Sequence, residues 1–247
     1  MNTKKIVAVI PARYQSSRFP GKPLAYICGK PMIQRVYERV CSVDEIKDVY
    51  VATDDERIFK TVQNFGGKAI MTGECTCGTE RVYAAVQNVD CDIVLNIQGD
   101  EPLVQAAMIR ELISAFEDPS VLMATLKKQI YDEKSINDTN IVKMVTNEQE
   151  DAIYFSRSKI PFNRESNHAV KYFKHIGIYG YIKKFLAQFV SMPQTQLEVA
   201  EQLEQLRVIE HGYRIRVVET KFDSIGVDLP EHIALIEKKL SNEEGGG

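Results

Sequence analysis

Several features that would assign a protein class at once are missing from this 247-residue sequence. It has no Trp, and no apolar run approaches the about 18 residues that a membrane-spanning helix needs. It also has no basic excess, because its formal net charge is −3 and its pI is about 5.9. These absences argue against a membrane protein and against a general nucleic-acid binder, although a local basic pocket can still hold an anionic substrate.

Cysteine is scarce and irregularly spaced. The five cysteines are Cys28, Cys41, Cys75, Cys77 and Cys91. An odd number without a regular spacing favours free thiols in a reducing compartment. Cys75 and Cys77 form the one close pair, but a structural zinc site normally needs four ligands and no His lies nearby in the sequence. The apolar run at 6–10 is too short for a signal peptide, so we expect a cytoplasmic protein.

The first half of the chain alternates short apolar runs with helical patterns. This alternation predicts an α/β fold with a mainly parallel sheet that is covered on both faces. The second half contains alternating segments that suggest an antiparallel addition or a dimer arm. Predicted strands cover 6–10, 48–53, 69–71, 92–97, 121–127, 140–147 and 213–220, and predicted helices cover 31–40, 55–65, 79–89, 108–116, 199–210 and 230–240. We expect one domain over 1–240 and a disordered tail over 241–247.

A basic loop follows the first predicted strand. It contains Arg13, Arg18 and Lys22, with Ser16 and Gly21 between them. Ligands bind at the carboxyl ends of strands in open α/β sheets, and three cations with hydroxyl and backbone N–H groups suit a triphosphate. The alternative is a solvated basic turn, but three prolines stiffen the loop. It matches neither the GxxxxGK[ST] nor the GxGxxG phosphate-binding pattern.

Two acidic positions are candidates for magnesium. Asp100 follows a glycine at the end of the fourth predicted strand, and Asp228 precedes the last predicted helix. Magnesium prefers one or two carboxylates together with substrate oxygens and waters. The alternatives are an acidic turn at Asp100 and a helix N-cap at Asp228.

Three segments form a combined pattern: IPARYQSSRFPGKP at 10–23, NIQGDEP at 96–102 and GVD at 226–228. Together they resemble one family, the CMP-Kdo synthetases, or 3-deoxy-manno-octulosonate (Kdo) cytidylyltransferases. Further matches in the same order are VATDD at 51–55, GTER at 78–81, YFSR at 154–157, HIGIY at 175–179 and LEQL at 203–206. The resemblance covers 6–240.

The resemblance implies a three-layer α/β/α, Rossmann-like nucleotide-diphospho-sugar transferase fold, a small dimerisation extension and a homodimer. It implies transfer of CMP from CTP to Kdo with release of pyrophosphate, for lipopolysaccharide or capsule biosynthesis, with Mg²⁺ as cofactor. The residues it assigns to catalysis are Arg13, Lys22, Asp100 and Asp228, and it assigns Mg²⁺ to Asp100 and Asp228. To CTP it assigns Arg13, Ser16, Arg18, Lys22, Gly78, Thr79, Arg81 and Asp100, and to the sugar acid Gln98, Arg157, His175, Tyr179, Glu204 and Gln205.

Taken without the resemblance, the sugar-site residues have simpler explanations. His175 and Tyr179 could be packed strand residues, Glu204 and Gln205 could lie on the solvated face of helix 199–210, and Arg157 could lie in a surface turn. One segment departs from the family, because 71–78 reads MTGECTCG, without the usual His, and Cys77 stands where Ser is usual. The alternatives are a cytidylyltransferase for 8-amino-Kdo or a sialic acid, and a non-catalytic nucleotide-binding relative.

Overall fold

The computed structural model describes residues 4–16, 18–165 and 170–244. Its strands are β1 (Ile6–Pro11), β2 (Tyr26–Ile27), β3 (Lys30–Pro31), β4 (Asp48–Thr53), β5 (Ala69–Met71), β6 (Ile93–Asn96), β7 (Met123–Ile130), β8 (Lys143–Thr146), β9 (Ala152–Ser156), β10 (Tyr172–Ile182) and β11 (Arg216–Glu219). Its α-helices are α1 (Met32–Cys41), α2 (Glu56–Asn64), α3 (Gly78–Val86), α4 (Ala106–Ser114), α5 (Glu133–Asn137), α6 (Lys183–Ser191), α7 (Gln196–Glu201), α8 (Leu206–Glu210) and α9 (His232–Glu244).

The chain divides into two compact units. The first unit comprises Met1–Arg110 and Ser224–Gly247, and the second comprises Glu111–Asp223. The sequence prediction of one nucleotidyltransferase domain over 1–240 stays a prediction.

The first unit is built on four parallel strands in the order β6-β1-β4-β5. β1 lies between β6 and β4, and its apolar residues from Ile6 to Ile10 are all buried, as expected for a strand covered on both faces. The chain runs from β1 outward to β4 and β5 and then returns to β6 on the other side of β1. The carboxyl ends of β1 and β6 therefore lie at a topological switch point, where ligands bind in open α/β sheets.

The second unit has a mixed sheet. β10 runs antiparallel to both β7 and β8, β9 runs antiparallel to β8, and β11 runs parallel to β7. This arrangement confirms the α/β class and the predicted antiparallel addition. The dimerisation role of that addition stays a prediction.

The predicted helix over 199–210 is wrong. The chain forms α7 and α8 instead, separated by a turn that starts at Gln202, whose φ of 54° lies in the left-handed region. Leu203 is buried in this turn, and the bidentate ion pair from Arg207 to Glu198, at 2.7 and 2.5 Å, ties the two short helices together. Burial and pairing thus override the helix propensity of the segment.

The C-terminal helix is longer than predicted. α9 continues to Glu244, so the first four residues of the predicted tail 241–247 are helical and the last three lie outside the described residues. Within the described part of the chain, no helix combines the length and the apolar character needed to cross a bilayer.

Candidate active site

A backbone hydrogen bond closes the loop after β1. The N–H of Gly21 donates to the carbonyl oxygen of Tyr14 at 2.8 Å. The Tyr14 ring lies under the Arg57 guanidinium, 3.2 Å from the ring centroid, and Asp55 holds that guanidinium from the N-cap of α2. Gly21 has a φ of 73°, and a Cβ there would lie 3.1 Å from the Tyr14 ring. These contacts hold the loop that carries the predicted phosphate ligands in a defined conformation, which argues against a simple solvated turn.

Four of the predicted site residues meet in one charge cluster. The Lys22 ammonium lies 2.5 Å from Asp100 Oδ2 and 3.9 Å from Asp228 Oδ1. Arg18 Nη2 lies 3.2 Å from the same Asp228 oxygen. The Lys22 side chain is 15% exposed, whereas those of Arg18 and Asp228 are 62% and 49% exposed. Two carboxylates thus converge on one half-buried cation, beside a second cation that solvent reaches.

Backbone contacts bring the two carboxylates together. The N–H of Val227 donates to the carbonyl oxygen of Asp100 at 2.8 Å. A Cβ on Gly99 would lie 3.0 Å from the carbonyl oxygen of Pro11, so glycine allows the chain after β6 to approach the chain after β1 closely. The capping alternative for Asp228 is wrong, because α9 begins only at His232 and the Asp228 carboxylate faces Arg18 and Lys22.

The other loop residues are open to solvent to different degrees. Arg13 is exposed, and no residue in the described ranges forms a hydrogen bond or an ion pair with its side chain. Ser16 is half-buried, and its hydroxyl lies 3.4 Å from the N–H of Phe19. Gln98, also half-buried, has its amide nitrogen 3.5 Å from Asn96 Oδ1. The exposed Arg13 guanidinium is suited to an anionic ligand.

The residues predicted around cytidine lie at the start of α3. Gly78 is its first residue, and Thr79 and Arg81 are both 4% exposed. Arg81 donates to Asp54 Oδ2 and to Thr72 Oγ1, both at 2.6 Å, so its guanidinium is fixed by residues that follow β4 and β5. The carboxyl ends of two neighbouring parallel strands, β4 and β5, thus supply this side of the site.

Cys77 serves as the N-cap of α3. Its Sγ accepts a hydrogen bond from the N–H of Glu80 at 3.5 Å. The Glu80 carboxylate in turn accepts from the backbone and the hydroxyl of Thr76, at 2.6 and 2.7 Å. Ser is a preferred capping residue and a thiol is a weaker acceptor, so the departure from the family pattern retains the capping geometry with a poorer cap.

Arg157, which follows β9, is tied to the end of α7. Its Nε donates to the carbonyl oxygen of Glu201 at 2.9 Å, and its Nη1 donates to the carbonyl oxygen of Thr139 at 3.2 Å. The Glu201 carboxylate accepts from the N–H of Arg157 at 2.9 Å and from the Ser156 hydroxyl at 2.6 Å. Burial raises the pKa of Glu201, but these hydrogen bonds outweigh it and the net shift is downward. Arg157 thus lies in a bend, as the turn alternative holds, but it is half-buried and its side chain is fixed by these contacts.

Lys143 stabilises the backbone around Arg157. Its side chain is fully buried, and its ammonium donates to the carbonyl oxygens of Asp138, Ile141 and Arg157, each at 2.6 Å. Burial lowers the pKa of this lysine. A buried ammonium is costly, so its three carbonyl contacts indicate that it holds the backbone on both sides of Arg157 in place.

His175 and Tyr179 lie together on β10. Their ring centroids are 5.3 Å apart, and the Phe155 and His175 rings form a T-shaped pair with centroids 5.1 Å apart. Burial lowers the pKa of His175 to about 3, and burial, followed by the charges of Tyr181 and Glu204, raises the pKa of Tyr179 well above its ordinary value. Both residues are neutral at pH 7. They are packed strand residues, as the simpler explanation holds. His175 Nε2 contacts the Thr125 hydroxyl, whereas His175 Nδ1 has no hydrogen-bond partner among the described residues.

Glu204 and Gln205 lie in the turn between α7 and α8, not on a continuous helix. The solvated-face alternative is wrong for Gln205, which is 4% exposed. Its amide nitrogen is buried and has no hydrogen-bond partner among the described residues. A buried amide without a partner is costly, and a polar ligand would satisfy it.

The sequence matches known proteins over nearly its whole length. The cytidylyltransferase family matches residues 7–216. The chain belongs to the cytidylyltransferase family.

Three relatives of this cytidylyltransferase are informative. An 8-amino-3,8-dideoxy-manno-octulosonate cytidylyltransferase of Shewanella halifaxensis is 51% identical over 96% of this chain and 98% of its own length. A 3-deoxy-manno-octulosonate cytidylyltransferase of Syntrophus aciditrophicus is 50% identical over the same shares. The solved structure of a CMP:2-keto-3-deoxy-manno-octonic acid synthetase complexed with CTP is 44% identical, covers 97% of this chain and 99% of its own, and superposes with a TM-score of 0.93. The predicted fold is confirmed.

The charge cluster fits a magnesium ion. In this cytidylyltransferase the Lys22 ammonium lies between the carboxylates of Asp100 and Asp228, so both face a position that favours positive charge. No group of three or more His, Cys, Asp or Glu in the described ranges could hold a metal. Two carboxylates are nevertheless enough for Mg²⁺ when phosphate oxygens and waters complete its six ligands. Asp100 and Asp228 are therefore suitable ligands for the metal.

Sequence reasoning missed the residues that hold the predicted ones in place. They are Asp54, Asp55, Arg57, Thr72, Thr125, Lys143 and Glu201. Asp54 and Asp55 lie in the VATDD segment at a strand end, and that position was a usable signal. Lys143 and Glu201 have no such signal, because the groups they contact are distant in sequence.

Proposed function

We propose that this protein transfers CMP from CTP to 3-deoxy-D-manno-octulosonate, giving CMP-Kdo and pyrophosphate. The observation that carries the proposal is the cluster of Lys22, Asp100 and Asp228 at the switch point of a parallel sheet. This cluster offers both a cation for phosphate oxygens and two carboxylates for a metal. Relatives that are about 50% identical over almost the whole chain, and named for this reaction, support the choice of substrate.

In the proposed reaction the anomeric hydroxyl oxygen of the sugar acid bonds to the α-phosphorus of CTP. The bond from that phosphorus to the pyrophosphate oxygen breaks, pyrophosphate leaves with the bonding pair, and the hydroxyl proton passes to solvent. Such chemistry depends mainly on positioning and on charge neutralisation. Arg13 and Lys22 bind the triphosphate and stabilise the charge that develops on pyrophosphate, and Arg18 and Ser16 bind it at the edge of the loop.

Asp100 and Asp228 would hold Mg²⁺. When bound, the metal neutralises phosphate charge and lowers the pKa of the attacking hydroxyl, so the site needs no protein general base. Gly78, Thr79 and Arg81 line the cytidine pocket in this proposal.

The sugar acid is bound by the set Gln98, Arg157, His175, Tyr179, Glu204 and Gln205. The guanidinium of Arg157 suits the carboxylate, because it presents planar paired donors. The neutral His175 and Tyr179 suit hydroxyl groups because they carry no charge. The Gln205 amide nitrogen, which has no partner in the described part of the chain, is a neutral donor for the same kind of group. A cytoplasmic location fits the five free cysteines. A homodimer and a role in lipopolysaccharide or capsule biosynthesis rest on the family resemblance.

A second candidate substrate is 8-amino-Kdo. It is favoured by the relative from Shewanella halifaxensis, which is named for that sugar and is 51% identical. The two sugars differ at one substituent, at the end of the molecule far from the reacting carbon. The reaction itself would be the same.

A substrate panel tests the proposal. Pyrophosphate release is measured with CTP, Mg²⁺ and either Kdo, 8-amino-Kdo or N-acetylneuraminate, with ATP, GTP and UTP as nucleotide controls. We expect the largest kcat/KM with CTP and Kdo. A preference for another sugar acid would change the substrate and keep the mechanism. Absence of release from folded protein with every pair would favour a non-catalytic nucleotide-binding relative.

A further inference from the structure

The ladder between β10 and β7 is interrupted beside the candidate sugar site. Ile176 pairs with Leu126, but the next pair is Tyr179 with Thr125, so β10 has two extra residues at this point. Bulges of this kind redirect side chains next to functional sites. The interruption leaves His175 and Tyr179 on one face with their rings in contact.

One side chain from β7 occupies the interruption. Thr125 is fully buried, and its hydroxyl oxygen lies 2.8 Å from the carbonyl oxygen of Ile178 and 3.1 Å from that of Ile176. The same oxygen lies 3.0 Å from His175 Nε2. The Thr125 hydroxyl therefore has three polar neighbours at hydrogen-bonding distance.

The chemistry of these neighbours determines where the protons lie. A carbonyl oxygen can only accept a hydrogen bond, and a threonine hydroxyl has a single proton. If that proton pointed at His175, the hydroxyl lone pairs would face two carbonyl oxygens with no proton between them. The proton is therefore directed to the carbonyl oxygens, and the hydroxyl oxygen accepts from a proton on Nε2 of His175.

We propose that Thr125 is a positioning residue that holds His175 as the Nε2–H tautomer, so that the Nδ1 lone pair accepts a hydrogen bond from a hydroxyl group of the sugar acid. Among the described residues, Nδ1 has no hydrogen-bond partner. The tautomer follows from the geometry alone, whereas the role towards the sugar rests on the proposed function.

The surroundings of the ring keep it neutral. Phe155 and Tyr179 pack against it, and the cationic Lys127 stands opposite His175 in the ladder, bonded to Glu150 and Thr146. Burial lowers the pKa of His175 to about 3. A neutral acceptor selects a hydroxyl over a carboxylate, which leaves the sugar carboxylate to a cation such as Arg157.

The tautomer is measured on the free protein by long-range ¹⁵N–¹H correlation of labelled histidine. The sequence has four His, and the signals of His175 are identified by their loss in His175→Gln. We expect a proton on Nε2, an unprotonated Nδ1, and the same pattern from pH 8 to pH 5. A proton on Nδ1, or a doubly protonated ring at pH 7, would overturn the proposal. This result needs no substrate, so it is independent of the proposed function.

The role towards the sugar is measured by the kinetics of two substitutions. Thr125→Val removes the hydroxyl and keeps the shape, whereas Thr125→Ser keeps the hydroxyl. We expect Thr125→Val to mix the His175 tautomers and to raise the KM for the sugar acid about tenfold, as for one lost hydrogen bond in a buried site. The KM for CTP should change less than about twofold, and Thr125→Ser should stay close to the unsubstituted protein.

A matched control is Thr220→Val, which changes another buried threonine of the second unit, whose hydroxyl oxygen contacts the N–H of Phe222. Parallel rises in both KM values, or equal effects from Thr220→Val, would overturn the positioning role. If Thr125→Val does not fold, the spectrum of the unsubstituted protein still tests the tautomer, and the Thr125→Ser kinetics still test the role of the hydroxyl. No turnover of CTP and Kdo by the unsubstituted protein would overturn the proposed function and the sugar contact, while the tautomer is tested separately.

Discussion

The charge cluster of the first unit and the candidate sugar residues of the second unit are stabilised in opposite ways. Lys22, Asp100 and Asp228 contact one another, and the carboxylates are 32% and 49% exposed. Arg157 and His175 are instead held by carbonyl oxygens, a carboxylate and a buried hydroxyl. Charged groups that pair with each other can exchange those partners for phosphates and a metal, because all partners are charged. The neutral His175 needs a fixed direction because a hydroxyl is recognised by geometry, and Arg157 needs one to present its paired donors to a carboxylate.

This difference predicts different responses to substitution. A change in the charge cluster should reduce turnover with little effect on folding, because exposed ion pairs contribute little to stability. A change in Glu201 or Thr125, which hold Arg157 and His175 in place, should instead raise the KM for the sugar acid by displacing those side chains.

The largest effect is expected from Asp100→Asn. Removing the charge leaves the shape but weakens the proposed metal site, so we expect kcat to fall about 10² to 10³-fold, as for other lost electrostatic contacts in transition states. Pyrophosphate release measures the rate, and the free energy of unfolding should change by about 1 kcal/mol or less. The control is Asp90→Asn, an exposed carboxylate that pairs with Lys5. Unchanged turnover in Asp100→Asn would remove this residue from the site.

A smaller and more selective effect is expected from Glu201→Gln. The amide replaces one of the oxygens that accept from Arg157 and Ser156, so Arg157 and the turn after α7 should shift. We expect the KM for the sugar acid to rise about tenfold while that for CTP stays within about twofold.

Its matched control is Asp151→Asn. Asp151 is a buried carboxylate of the same unit that accepts from Arg216 at 2.9 Å, and within the described ranges no hydrogen bond or ion pair joins its side chain to a candidate sugar residue. The control should lower stability without separating the two KM values. Equal kinetic effects of both substitutions would show that Glu201 contributes only to folding.

The lowered pKa of His175 should contribute to the pH dependence of the free energy of unfolding. Its pKa is lowered to about 3 in the folded protein, from an ordinary value of 6.5. The unfolded chain therefore takes up this proton first as the pH falls. The contribution is fully present above pH 6.5 and is lost as the pH falls towards 3, by about 1.6 kcal/mol between pH 6.5 and 5.

Denaturant unfolding at several pH values measures this loss. The curve for His175→Gln should be flatter than that of the unsubstituted protein, and the difference between the two isolates this residue from the other histidines. Parallel curves would contradict the conclusion that His175 stays neutral in the folded protein.

The smallest effect is expected from Cys77→Ser. A hydroxyl is a better N-cap than a thiol, so the free energy of unfolding should rise by about 0.5 kcal/mol. Thermal or denaturant unfolding measures it, with Cys41→Ser at the exposed end of α1 as the control. A loss of stability in Cys77→Ser that the control does not share would show that the thiol makes a contact beyond capping.

Sequence reasoning was most successful in the first unit. The buried strands β1, β4 and β6 follow from continuous apolar runs, and Arg18, Lys22 and Asp100 follow from their place in loops after predicted strands. Asp228 was joined to them by the family resemblance, and all four residues lie together. Local patterns suffice for the first three residues because the strand before each loop positions them.

The second unit was harder because its geometry depends on contacts between distant segments. The segment 196–210 has helix-favouring residues throughout, yet buried Leu203 and the contacts of Glu201 end α7 before Gln202. The interruption of β10 depends on a hydroxyl from β7, which no spacing within β10 reveals. The roles of Thr125 and Glu201 follow from these contacts and could not be predicted from local sequence.

The most direct test of the central claim is ³¹P NMR of a reaction that contains the protein, CTP, Mg²⁺ and Kdo. We predict equal amounts of pyrophosphate and of a new phosphodiester that joins CMP to the sugar, with no product when the sugar is omitted. Formation of CMP or CDP without a phosphodiester would mean that the protein hydrolyses CTP, and unchanged CTP in the presence of folded protein would contradict the cytidylyl transfer altogether.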